Sequence, residues 1–75
     1  MWRVIVYCSA DSWRTRAKDF NAIVAKYGAK SLSSKKMKED ERRIMEFQIE
    51  NVDEAESFQD ECLLIEGFTA QFEAL

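Results

Sequence analysis

An α+β fold is predicted: four antiparallel strands in one sheet, with two helices on one of its faces, in the chain order β-α-β-β-α-β. Three features point there. Residues 2–8 and 42–50 are rich in β-branched and aromatic side chains or alternate apolar with polar, as strands do. Two longer stretches repeat apolar residues every three or four positions, as helices do. The chain has no proline and only two glycines, Gly28 and Gly67, each following a helical stripe, where glycine commonly closes a helix. Seventy-five residues, 47% hydrophobic and 33% charged, make one domain spanning 1–75.

The first strand, 2–8, places Trp2, Val4, Val6 and Cys8 on one face and Arg3, Ile5 and Tyr7 on the other. A strand with apolar residues on both faces belongs in the middle of its sheet. Ser9 or Asp11 can cap the helix that follows. Its stripe is Trp13, Ala17, Phe20, Val24 and Tyr27, widened by Ile23, and Gly28 sits at its C-terminal cap. Residues 29–37 read as a weak strand whose serines and lysines suit an exposed sheet edge. Leu32 and Met37 differ in parity, which suggests a bulge or an early end. Lys38-Glu39-Asp40-Glu41 is expected as a polar hairpin loop. Residues 42–50 then set Met45, Phe47 and Ile49 on one face and Ile44, Glu46, Gln48 and Glu50 on the other.

Asn51 or Asp53 is the expected cap of the second helix, and Asp53 with Glu56 has capping-box spacing. The stripe there is Ala55, Phe58, Cys62 and Ile65, with Leu63 and Leu64 beside it and Gly67 as its end. Phe68, Ala70, Phe72 and Ala74 alternate with polar residues to form the last strand. Two interleaved βαβ units of this kind make the ferredoxin-like arrangement.

Charge is unevenly placed. Residues 1–43 hold all eleven basic residues and five acidic ones, a net of +6, whereas residues 44–75 hold nine acidic residues and no basic one. Either the halves neutralise each other in the fold, helix beside helix, or they leave a dipole that steers a partner.

Catalytic equipment is sparse. With no histidine, the commonest general base and the commonest metal ligand are both missing. Two cysteines are too few for a zinc site or a disulfide framework. Cys62 lies in the helical stripe and reads as core. Cys8 ends a strand just before a helix, where a thiol can become reactive, but it shares parity with Val4 and Val6 and reads first as a small buried residue. No glycine-rich phosphate loop is present. No catalytic residue, metal site or cofactor is therefore assigned. No membrane span or signal peptide is expected either, and the chain is placed in the cytoplasm.

Surfaces remain. The sheet face away from the helices should carry Arg3, Ile5, Tyr7, Ile44, Glu46 and Gln48, a mixed patch suited to a protein partner or to self-association. Only Tyr7 there could stack on a nucleobase, and Glu46 opposes phosphate. A basic segment, Lys30, Lys35, Lys36, Lys38, Arg42 and Arg43, could instead track a nucleic-acid backbone, though Glu39, Asp40 and Glu41 interrupt it.

The element order resembles that of ACT-type regulatory modules over nearly the whole chain. The resemblance rests on a first strand ending in Val6-Tyr7-Cys8, a capped helix, Gly28 before the second strand and Gly67-Phe68 opening the last. It implies dimerisation by sheet extension and a small effector, often an amino acid, beside the first strand-to-helix loop. That loop usually carries a glycine, and Ser9-Ala10-Asp11 has none; Asp11 and Ser12 are the residues the resemblance places near such a site. The chain start is also similar to the small CRISPR-associated ferredoxin-like nucleases, but their strand-end aspartate falls at Cys8, against nuclease activity. The sequence reading is thus a non-enzymatic protein-interaction module, of the kind a phage or plasmid carries to inhibit or regulate a host protein. Its alternatives are an ACT-like effector-binding module and nucleic-acid binding through residues 30–43.

Overall fold

The computed structural model describes residues 1–36 and 42–75. β1 (Trp2–Cys8) leads into α1 (Ala10–Tyr27); β2 (Lys30–Lys36) and β3 (Arg43–Ile49) follow, then α2 (Val52–Leu63) and β4 (Phe68–Ala74). The strands form one antiparallel sheet in the order β2-β3-β1-β4. This is the ferredoxin-like arrangement, and the two apolar-rich strands β1 and β3 are central. The expected hairpin loop Lys38-Glu39-Asp40-Glu41, and Met37 with it, lie outside the described residues.

Strand alternation sorts the sheet into two faces. Val4, Val6, Cys8, Met45, Phe47, Ile49 and Phe68 are buried beneath the helices. α1 contributes one fully buried side chain, Phe20, whereas α2 contributes Ala55, Phe58 and Cys62. Phe20 is the hub. Its ring meets those of Phe47 at 5.6 Å, Phe58 at 6.3 Å, Phe68 at 5.4 Å and Trp13 at 6.0 Å. Aromatic pairs at these separations add to the burial of their apolar area.

Both helices are capped by polar side chains. The Ser9 hydroxyl accepts from the Ser12 amide at 3.1 Å at the start of α1. Gly28 ends it with φ 59°, and Ala29 N–H donates to the Val24 carbonyl, the left-handed ending that glycine permits. Asn51, not Asp53, caps α2: its side chain accepts from the Asp53 amide at 2.8 Å. Asp53 is consequently inside the first turn, and the Asp53–Glu56 box does not form. α2 also stops four residues before Gly67, and the chain turns there, so Leu63 and Leu64 are 47% and 86% exposed rather than beside the stripe. At the other edge, the β2–β3 register slips between Ser31 and Ser33, so Leu32 is the bulge that its parity suggested.

The basic and acidic halves do meet. Lys26 on α1 reaches both carboxylate oxygens of Glu61 on α2 at 3.1 Å, and the Tyr27 hydroxyl donates to the same carboxylate. Those bonds, Tyr27's first, hold the Glu61 carboxyl below its ordinary range. Across the open sheet face, Arg3 bridges Glu46 at 3.3 Å and also pairs with Glu73. Arg14 and Arg16 pair within their own helix, with Asp11 and Asp19. Exposed pairs of this kind contribute little to stability, because water screens them.

The register Cys8↔Phe68 brings the start of α1 against the turn after α2. There Gly67, at φ 84°, lies so close to Ser12 that a β-carbon would fall 1.7 Å from its Oγ and 2.7 Å from its Cβ. Gly28 faces open space. Gly28→Ala should therefore cost only the left-handed backbone penalty, about 1–2 kcal/mol, whereas Gly67→Ala adds a backbone-to-side-chain clash and should cost clearly more. Urea denaturation midpoints of the two variants measure the difference; equal losses would contradict the close approach.

Candidate functional site

A concavity lies beside the close approach at Gly67. A cleft of about 550 Å³ opens between the first two turns of α1 and the turn before β4, lined by Asp11, Ser12, Thr15, Arg16, Glu66 and Gly67. Small-molecule pockets commonly span about 300–1,000 Å³. Its floor is ordered by the helix cap. Ser9 Oγ accepts from the Ser12 amide and donates to Ser12 Oγ at 3.0 Å, and the Trp13 amide donates to the Ser9 carbonyl at 3.0 Å. Thr15 Oγ1 donates to the Asp11 carbonyl at 3.0 Å. The lining carries both signs of charge, Arg16 with Asp11 and Glu66, and Asp11 is also held by Arg14 at 2.7 Å. Arg16 is 3.7 Å from Asp19, a loose contact, and a guanidinium has five N–H donors. A cation, two carboxylates and two hydroxyls beside the positive end of a helix suit a small molecule bearing both a carboxylate and an ammonium.

Asp11 and Ser12, assigned to an effector site on resemblance, both line this cleft. Thr15, Arg16, Glu66 and Gly67 were not anticipated there. Gly67 read as a helix end only, yet the pairing of the first strand with the last already implies that Ser9 and Gly67 share one end of the sheet.

The open-face residues Arg3, Ile5, Tyr7, Ile44, Glu46 and Gln48 do share one surface, with Tyr7 directly opposite Ile44 and Ile5 opposite Glu46. All six are half-buried. The ion pairs of Arg3 and a hydrogen bond from Ser33 to Glu46 at 3.2 Å occupy much of that face.

Among the described residues, the strand cations of the basic segment divide between two faces. The bulge at Leu32 and strand alternation direct Lys30 and Lys35 to the open face, opposite Gln48 and Ile44. Lys36 stands opposite Arg43 on the helix side, where the Arg43 guanidinium lies 4.4 Å over the Trp13 ring. Arg42 is exposed at the start of β3, and Lys38 lies outside the described residues. Among the described residues, the pairing sets Lys30 and Lys35 apart from Lys36 and Arg43.

Neither cysteine is a poised nucleophile. Cys8 is 2% exposed and Cys62 fully buried, and both are free thiols. Burial raises the Cys8 thiol, partly opposed by Arg43, and pushes Cys62 up to about 12. Among the described residues, no three acidic or cysteine side chains converge to hold a metal ion, and no helix is long and apolar enough to cross a membrane.

No protein-family profile matches the chain, and no curated protein matches it. Solved structures do. An uncharacterized protein of Thermotoga maritima superposes with a TM-score of 0.76 at 11% identity, over 99% of this chain and 94% of that one. The ACT domain of a GTP pyrophosphokinase from Chlorobium tepidum matches with a TM-score of 0.68, again at 11% identity, over 96% and 95% of the two chains. A formyltetrahydrofolate deformylase from Pseudomonas putida matches with a TM-score of 0.57 and 11% identity over 99% of this chain, which spans 28% of the enzyme's length. At such identity the likeness establishes the fold. The ACT domain shares that fold over nearly the entire length of both chains.

The thiols give a direct check on the core beneath the site. Neither should react with an aromatic disulfide reagent at pH 8 while the protein is folded, and both should react in urea. The folded state holds the Cys62 proton to about 12, whereas the unfolded thiol loses it near 9.0. The resulting contribution to stability is fully present below the unfolded value and is lost as pH rises through that window. Denaturation at stepped pH should show the decline, and Cys62→Ala should flatten it.

Proposed function

We propose that this chain is an ACT-like regulatory module that binds a small zwitterionic effector, an amino acid or a close relative, in the cleft between α1 and the turn before β4. The observation that carries this reading is that Arg16, Asp11 and Glu66 line one cleft together with Ser12 and Thr15, at a capped helix start. An effector carboxylate would meet Arg16 and the helix end, and its ammonium would meet Asp11 and Glu66. The near full-length likeness to an ACT domain supports the same reading. The reading is one of binding: both thiols are buried, and the carboxylates of the cleft are exposed.

A second reading, docking of a protein partner on the open sheet face, draws on the adjoining Ile5, Tyr7 and Ile44. It would suit an inhibitor of the phage or plasmid type in the cytoplasm. The ion network around Arg3 makes that face less apolar than the sequence suggests, which is why it ranks behind the cleft.

Thermal denaturation with a panel of amino acids separates the two. The cognate amino acid at about 100 times its dissociation constant should stabilise the fold by roughly 2.7 kcal/mol. Arg16→Gln should abolish the gain, and Tyr7→Ala should leave it intact. No stabilisation by any zwitterion, or a gain lost in Tyr7→Ala and kept in Arg16→Gln, would overturn the assignment.

A further inference from the structure

We infer that the effector is a diamino acid, one whose aliphatic side chain ends in a second ammonium, as in lysine or ornithine. The inference rests on the small-effector reading of the cleft and names the class of molecule the cleft takes. The cleft does not end at Arg16 and Glu66. Those two residues also line an adjoining hollow of about 340 Å³, completed by Asp19 from α1 and by Leu64 and Ile65 from the turn after α2.

The two hollows offer different chemistry. No aliphatic or aromatic residue lines the cleft, so it suits the charged end of an amino acid and offers little to a side chain. The adjoining hollow supplies an apolar wall. Ile65 is packed partly buried against the core. Its turn is fixed by hydrogen bonds: the Ile65 N–H donates to the Cys62 carbonyl and the Phe68 N–H to the Ile65 carbonyl, each at 3.1 Å. Leu64 beside it is largely exposed, which leaves its side chain open to a ligand. Methylenes laid along such a wall gain by leaving water.

Charge decides how that side chain ends. Asp11, Asp19 and Glu66 line the joined space, with Arg16 as its cation. Asp11 is held by Arg14 at 2.7 Å and Asp19 loosely by Arg16 at 3.7 Å. Glu66, which lines both hollows, takes part in none of the ion pairs among the described residues. With Arg14 counted, three carboxylates meet two guanidiniums, an excess of one negative charge. An amino acid with a neutral side chain is net neutral and leaves that excess unmet; a diamino acid carries one net positive charge and meets it. The loose pair also rearranges in its favour. An effector carboxylate that binds Arg16 in two-pronged fashion draws it away from Asp19. Asp19 then stands one helical turn from Arg16, free to take the distal ammonium, while Asp11 and Glu66 keep the α-ammonium.

Calorimetric titration at constant ionic strength with lysine, ornithine, norleucine and Nε-acetyl-lysine tests this. Norleucine has the carbon chain of lysine without its second ammonium, and acetylation removes the charge alone. Lysine or ornithine should bind roughly fivefold or more tightly than norleucine or Nε-acetyl-lysine. Asp19→Asn should erase that preference, whereas Asp53→Asn, the same change of charge in the first turn of α2, should keep it. Leu64→Ser should weaken lysine and norleucine alike. Asp19, Asp53 and Leu64 are all exposed, so the variants test binding and not folding. Norleucine bound as tightly as lysine, a preference that survives Asp19→Asn, or no effect of Leu64→Ser would overturn the diamino assignment and leave the zwitterion cleft in place. Binding of none of the four would overturn both.

Discussion

Phe20 holds the first helix to the rest of the molecule. It is the one fully buried side chain of an eighteen-residue helix, and it lies against rings from β3, α2 and the start of β4. Truncating such a residue typically costs about 3–5 kcal/mol. A domain of this length commonly has a stability of roughly 4–11 kcal/mol, from about 0.05–0.15 kcal/mol per residue. The position of α1 therefore rests first on Phe20, with Trp13, Ile23, Val24 and Tyr27 packed partly buried against the same core. Ser12 lies eight residues before it, about 12 Å along the helix axis at 1.5 Å per residue. The cleft opens beside those first turns, so it inherits its geometry from the packing of Phe20 and from the contact of Gly67 with Ser12.

That dependence explains which parts of the structure the sequence revealed. Alternation placed Val4, Val6, Cys8, Met45, Phe47 and Ile49 in the core, because burial on one face of a sheet has a period of two. The stripe from Trp13 to Tyr27 and the cap at Gly28 were legible for the same kind of reason. The end of α2 was not. Leu63 and Leu64 continue an apolar run, but the helix stops at Leu63 and the chain turns toward Gly67, leaving both exposed. The α2 cap was ambiguous between Asn51 and Asp53 because both can accept from an amide two residues on; geometry chose Asn51.

The candidate sites were half legible. Asp11 and Ser12 came from resemblance to ACT modules, and the wall opposite them, Glu66 and Gly67, is more than fifty residues away in the chain. Only the pairing of β1 with β4 brings the two walls together. The basic segment shows the converse. Lys30, Lys35, Lys36 and Arg43 are close in sequence, yet strand alternation and a one-residue bulge divide them between opposite faces. What reads as one patch becomes a pair of open-face lysines and, separately, Lys36 and Arg43 on the helix side.

The function proposed for the chain depends on the cleft at the α1 start being where a small effector sits. Mapping amide chemical shifts by two-dimensional NMR during titration with the stabilising amino acid tests that placement residue by residue. The account predicts that the largest changes fall on Asp11–Arg16 and on Glu66 and Gly67, with little movement at Ile5, Tyr7 or Ile44. Changes centred on those three open-face residues, or none at the α1 start, would contradict it.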